Sequence, residues 1–296
     1  MFFKNITAFR IKNEIDVLSL EKNLTAMSFK PIDGLTKATR GFVNPLIKSS
    51  EASYHSLSNL LVFCLQKEEK ILPASVINNE LQNRIEDLEM AGKTIAKSQK
   101  TEMKEMIEQQ LLPQAFSNYK KLFGYFDFEN KYLVFNSASD KQIDECLELL
   151  RRCCDFLEIE PIIEDETKLL TDWLINNTHS ADIELGDKFK VVSDIGKGLT
   201  SISYKGDDIL TEQIKSFIES GGNVTELAMI WADKLSMTIT SKLQFKTIKF
   251  LDTLKEQNDD SLDGIYKSEA DILIMSDAFA SLFAATDSWN INEYGL

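Results

Sequence analysis

Residues 2–11 alternate apolar and polar positions and predict a strand, whereas Val17, Leu20, Leu24 and Met27 recur at helical spacing. Ser58 to Gln66 is apolar and β-compatible, and the charged Lys67–Lys70 predicts a turn ahead of Ile71-Leu72-Pro73. From Ser75 to Gln110 the pattern is helical, with Leu81, Ile85, Leu88 and Ile95, then Met103, Met106 and Gln110, on one stripe. Gly92 and the polar run Ser98 to Thr101 are positions where that helix would break in two. Lys121–Phe128 and Tyr132–Asn136 predict a hairpin turning at Glu129-Asn130, and a helix is expected from Asp140 to Phe156. A helix over Thr167–Asn176, short strands within 188–205, a helix near Thr211–Glu219, one or two strands over Met237–Phe250 and an apolar helix over about Ala270–Trp289 complete the reading. Strands and helices mix without a regular βαβ period or a Gly-rich strand-to-helix turn. The expected class is therefore α+β, with mixed antiparallel sheets and helices.

With 296 residues, 43% of them hydrophobic, the chain can bury a substantial core. Four parts are expected. Residues 1–73 form the N-terminal part of a central α+β domain, and 74–120 a helical tip region. A hairpin plus helices occupies 121–187, and a C-terminal α+β region 188–296. There is no long apolar run and no charged-then-apolar leader, so neither a membrane span nor a secretory signal is expected. Cys64, Cys146, Cys153 and Cys154 have no C-x-x-C spacing and read as reduced thiols of a cytoplasmic protein.

The net charge of −14 changes the picture only once it is divided along the chain. Residues 1–121 carry a net +3 and 188–255 a net +2, against −10 for 136–187 and −8 for 256–296. A basic surface can therefore attract a polyanion locally, because screening confines exposed charges to about 8–10 Å. Lys93, Lys97, Lys100 and Lys104, at spacings of four, three and four, would share one flank of a helix, opposite its apolar stripe. Such a single-sign ridge suits a DNA backbone. Lys242 and Lys246 share strand parity, and Lys249 falls on the other face unless a bulge intervenes.

Other chemistry is poorly supplied. His55 and His179 are the only histidines, neither is spaced for zinc, and no G-x-S-x-G elbow accompanies them. Gly196-Lys197-Gly198-Leu199-Thr200 reads as a tight turn, since Val191 stands where a phosphate loop needs its first glycine. Glu164-Asp165-Glu166-Thr167-Lys168 holds an E-x-K triplet of the kind a Mg²⁺-dependent nuclease uses, but a solvated helix N-terminus explains it as well. No cofactor or metal is expected.

Two stretches beside the ridge, Lys67-Glu68-Glu69-Lys70-Ile71-Leu72-Pro73 and Leu111-Leu112-Pro113-Gln114-Ala115-Phe116-Ser117, resemble signature segments of the recombination-associated protein RdgC family. Phe3-Lys4-Asn5, Lys100-Thr101-Glu102, Lys249–Asp252 and Glu256–Asp259 are similar to that family at comparable positions, so the resemblance spans nearly the whole chain. It implies a cytoplasmic, nucleoid-associated protein that binds double-stranded DNA with little sequence preference. It also implies elongated, curved protomers that form a ring-shaped homodimer around DNA, antagonism of the RecA recombinase, and no established catalysis. A Mg²⁺-dependent exonuclease is the alternative. Carried onto this chain, Phe116, and with it Phe123, are expected at a dimer contact. Lys70, Lys93, Lys97, Lys100, Lys104, Lys205, Lys242 and Lys246 are the expected DNA contacts. Gln114 stands where family members often have arginine, which implies weaker or more salt-sensitive binding.

Overall fold

The computed structural model describes residues 2–162, 167–194, 198–206, 212–242, 244–255 and 264–289. Strand β1 (Thr7–Ile11) leads to helix α1 (Val17–Ala26), β2 (Ala38–Val43), β3 (Tyr54–Leu57) and β4 (Leu60–Ile71). Helices α2 (Ala74–Met90) and α3 (Lys97–Leu111) follow, then β5 (Phe116–Asp127), β6 (Tyr132–Phe135), α4 (Asp140–Cys153) and β7 (Ile159–Pro161). The remainder comprises α5 (Thr167–Asn176), β8 (Ile183–Ser193), β9 (Thr200–Lys205), α6 (Glu212–Glu219), β10 (Asn223–Trp231), β11 (Leu235–Thr240), β12 (Phe245–Phe250), α7 (Asp252–Lys255) and α8 (Gly264–Thr286). This is an α+β fold with two antiparallel sheets.

The first sheet runs β2-β4-β5-β6-β1-β7, with β3 also on β4, and the second runs β12-β11-β10-β8-β9. One face of the first sheet buries Leu61, Phe63, Leu65, Leu122 and Phe126 against Leu20 and Leu24 of α1 and Ile143, Leu147 and Leu150 of α4. Its other face joins Val62, Tyr125 and Val134 to α5, α8 and the inward side of the second sheet in one larger core. Phe283 of α8 lies at its centre, 5.1 Å from Tyr132 and 6.2 Å from Phe245 between ring centroids. The N-terminal segment crosses between the sheets: Ile6 and Phe245 exchange backbone hydrogen bonds of 2.7 and 2.9 Å, and Ile248 N–H donates to Lys4.

Local signals explain much of this. Asp16 accepts from Leu18 and Ser19 N–H and so starts α1. The predicted hairpin forms because buried Asp127 accepts from the Asn130 backbone and side chain, both at 2.9 Å, while Lys131 takes the left-handed conformation that closes the turn. Two expectations are corrected. Lys67–Lys70 is no turn: β4 continues to Ile71, paired along its whole length with a β5 that begins at Phe116 rather than Lys121. Glu68 is buried in that strand and is kept there by hydrogen bonds from the Ser117 and Tyr119 hydroxyls and from Ile32 N–H at 2.9 Å. Met106 is exposed, and Ile77, Ile85, Ile107 and Leu112 supply the buried positions of the helical pair.

Candidate nucleic-acid interface

The helix breaks after Gly92, which adopts a positive φ of 75°, and α3 begins at Lys97 with the Gln99 side chain accepting from Ala96 N–H at 2.9 Å. Lys93 therefore lies in the connector and leaves the ridge. Lys97, Lys100 and Lys104 remain within an arc of about 60° on α3, at 3.6 residues per turn. All three are exposed, and none pairs with a carboxylate among the described residues. Glu108, the acid one turn beyond Lys104, is occupied by Lys37 at 2.6 Å.

A second cationic surface lies on the outward face of the five-stranded sheet. Inward Phe189 and Val191 are buried, so alternation turns Lys188 and Lys190 outward; Lys205 stands directly across from Lys188, and Ser203 across from Lys190. Together with Glu226 and Thr238 they border a shallow depression of about 320 Å³. On β12, Thr247 takes a φ of 53° and the register slips, so that Lys246 opposes Thr238 and Lys249 opposes Ser236. The bulge puts both lysines on this same face, as two residues of separation plus one inserted residue require. Five amines thus share a sheet surface with Glu226, which Lys246 holds at 3.2 Å. Among the described residues no helix covers it: buried residues of α5, α6 and α8 pack into the inward core.

The Lys188–Lys205 pair is informative because like charges directly opposed on adjacent strands destabilise a sheet. Neither lysine is paired with a described carboxylate. Across β2, β4 and β5, Arg40, Lys67 and Lys120 are also lateral neighbours, but there acids answer them. Arg40 meets Glu148 at 2.6 Å, Lys67 meets Glu145 at 3.1 Å and Lys120 meets Glu69 at 4.0 Å. One row is internally balanced; in the other, Lys188 and Lys205 have no described acid beside them.

The remaining expected contacts divide. Lys70 donates to the Ala115 carbonyl at 2.9 Å and so secures the turn ahead of β5. Lys242 sits in the β11–β12 turn, off Lys246's strand, and pairs with Asp140 at 3.4 Å, while Gln244 holds the same carboxylate at 2.7 Å. The two lysines therefore do not share strand parity. Phe123 is half-buried against the larger core. Phe116, by contrast, is 85% exposed and stands opposite Ile71, itself 51% exposed, at the end of the β4–β5 ladder. Lys188, Lys190 and Lys249 were not singled out from sequence as contacts; the Lys-Phe-Lys-Val alternation could have found the first two, but nothing local reveals the bulge that turns Lys249.

Nucleophilic chemistry finds little support. Burial pushes Cys64 and Cys153 up to about 12 and Cys154 to about 11, and drives Cys146 well above its ordinary value, so these thiols stay protonated at neutral pH. No cluster of three His, Cys, Asp or Glu among the described residues is arranged to hold a metal ion. The acidic run Glu164–Glu166 and Gly196-Lys197 lie outside the described residues.

The class the structure defines is an α+β protein with two antiparallel sheets, the second bearing five amines on one face. The chain belongs to the RdgC family: the family model described as "Putative exonuclease, RdgC" matches residues 1–289. The chain is 35% identical over 293 residues to the recombination-associated protein RdgC of Psychromonas ingrahamii, covering 96% of both chains. It is 33% identical over 289 residues to the protein of that name from Yersinia pestis, covering 95% of both. Among the described residues no helix is long and apolar enough to cross a membrane.

Proposed function

We propose that two copies of this chain close around double-stranded DNA, hold it through its phosphates without reading bases, and so restrain RecA-driven recombination on the nucleoid in the cytoplasm. The uncompensated Lys188–Lys205 pair on the open sheet face carries this reading, since a polyanion is the partner that would relieve its repulsion. Lys190, Lys246 and Lys249 extend the same surface, and Lys97, Lys100 and Lys104 add a second one. Lysine amines are non-directional charges, which suits backbone contacts rather than base recognition. The printed name of the relatives, recombination-associated protein, is the ground for placing the activity in recombination.

Closure needs a contact that a second copy can satisfy. The exposed Phe116 and Ile71, opposed at the tip of β4–β5, offer an apolar surface able to meet its own image across a twofold axis. Replacing Phe116 by serine then weakens dimerisation, read by sedimentation, and shortens retention on duplex DNA; a variant dimer with parental retention refutes the contact.

Electrophoretic shifts over a range of salt test the DNA surfaces. Substituting Lys188, Lys190 and Lys205 by alanine lowers the slope of log affinity against log salt by about 0.9 for each phosphate no longer neutralised, and substituting Lys97, Lys100 and Lys104 lowers it likewise. An unchanged slope in both variants overturns the reading. The description of the family model favours a second one, a Mg²⁺-dependent exonuclease acting on DNA ends. Shortening of labelled duplex with Mg²⁺, abolished by Glu166→Ala, would establish it.

A further inference from the structure

Apart from both lysine surfaces, a cleft of about 190 Å³ opens between the outer part of β4–β5 and the first turns of α4. Lys67, Lys120 and Lys141 face it against Glu69 and Glu145, while alternation along β5 turns the Lys121 side chain to the other face with Phe123. The two acids do not fill the site. Glu145 receives the Lys67 amine on both oxygens at 3.1 Å, and Arg40 donates to the Glu145 carbonyl at 3.4 Å, so this wall is held in place from two sides. Glu69 reaches Lys120 only at 4.0 Å. Lys141 is exposed and has no carboxylate partner among the described residues. It shares a face of α4 with Glu145, four residues on.

Neutral donors complete the lining. Gln142 accepts from the Ser137 hydroxyl at 2.9 Å through its carbonyl oxygen, which leaves its NH₂ free to donate. The Ser139 hydroxyl makes no capping bond to α4. Amines, an amide NH₂ and a hydroxyl are the donor set for a compact oxyanion, and the space admits a phosphate group but no duplex.

We propose that this cleft binds a phosphate monoester. The donors select that class: a monoester carries about −1.5 to −2 at neutral pH and presents three terminal oxygens to the Lys120 and Lys141 amines, the Gln142 NH₂ and the Ser139 hydroxyl, whereas each internal phosphodiester of DNA carries a single charge. Its source is a free mononucleotide or the 5′-phosphate at a DNA end. The inference stands apart from duplex binding, which is assigned to other lysines.

Titration calorimetry with thymidine 5′-monophosphate, and with short single strands bearing either a 5′-phosphate or a 5′-hydroxyl, tests it. Saturable binding of the mononucleotide, with none of thymidine, identifies a free nucleotide as sufficient; preference for the 5′-phosphorylated strand alone identifies the DNA end. In either case the double substitution Lys120→Ala, Lys141→Ala weakens binding about tenfold for each amine that bonds the phosphate. Glu145→Gln removes a carboxylate and frees Lys67, so it tightens binding several-fold, a gain that misfolding cannot produce. Substituting Lys188 and Lys205 leaves monoester binding unchanged while weakening duplex binding, which separates failure of this inference from failure of the proposed function. No mononucleotide binding together with no 5′-phosphate preference, or binding indifferent to both sets of cleft substitutions, overturns the proposal.

Discussion

Lys97, Lys100 and Lys104 stand on a helical pair that buries Ile77, Ile85 and Ile107 and, at its exit, Leu112, whereas Lys188, Lys190 and Lys205 stand on a sheet backed by Phe189, Val191, Leu227, Met229 and Ile239. The helical pair is thus held by few apolar contacts, the sheet by many. On the sheet the backbone beneath the cations is set before a ligand arrives, so only their side chains are ordered on binding. Those on α3 are carried by an element expected at the low-stability end of the molecule, free to adjust as a unit. On the proposed reading, a duplex would meet one rigid and one adjustable support.

Three substitutions sharpen or break that contrast. Phe283→Ala, at the junction of the two sheets, has the largest effect, about 3–5 kcal/mol of global stability. Denaturant unfolding should show a single earlier transition; loss confined to one sheet would mean that the large core is not shared. Ile107→Ala costs about 2 kcal/mol or more, and mostly locally. Hydrogen exchange should accelerate over residues 74–111 while the sheets stay protected, and uniform acceleration would put the helical pair in the same cooperative unit as the core.

The smallest effect concerns Glu68, whose carboxyl is held below its ordinary value, first by the Ser117 hydroxyl and then by Ile32 N–H, against the opposing effect of burial. A depressed carboxyl contributes stability above the unfolded value of about 4.3, and that stability is lost as pH falls through the folded value. Ser117→Ala raises the folded value towards the ordinary one. The variant should therefore be less stable than the parent at neutral pH, and the two unfolding curves should converge in acid. A difference that persists there would show that Ser117 acts through packing instead.

What the chain discloses in advance follows from how local each cause is. The hairpin at Asp127–Lys131 and the start of α1 at Asp16 depend on neighbours within four residues, and periodicity found both. Strand β10 escaped notice because its register shifts at Glu226 and again near Ala228, which interrupts the period of two. Lys-Glu-Glu-Lys at 67–70 reads as a solvated turn, and only hydrogen bonds from Ile32, Ser117 and Tyr119 make burying Glu68 tolerable. The basic surfaces were half legible: helical spacing found the α3 lysines and the apolar stripe's interruption at Gly92, but the bulge at Thr247 has no signature that alternation can detect. Phe116 came from resemblance alone, since an aromatic at that spacing is ordinarily core.

The hydrogen bonds joining Ile6 to Phe245 and Lys4 to Ile248 tie the segment before β1 to β12, far along the chain. During synthesis, Lys4 and Ile6 must wait for everything between them and β12 to be made before their partners emerge. Until then Phe3, fully enclosed in the finished protein, has no complete pocket to occupy. The join between the sheets is therefore expected to be among the last steps of assembly on the ribosome, and the step most exposed to interruption by truncated chains.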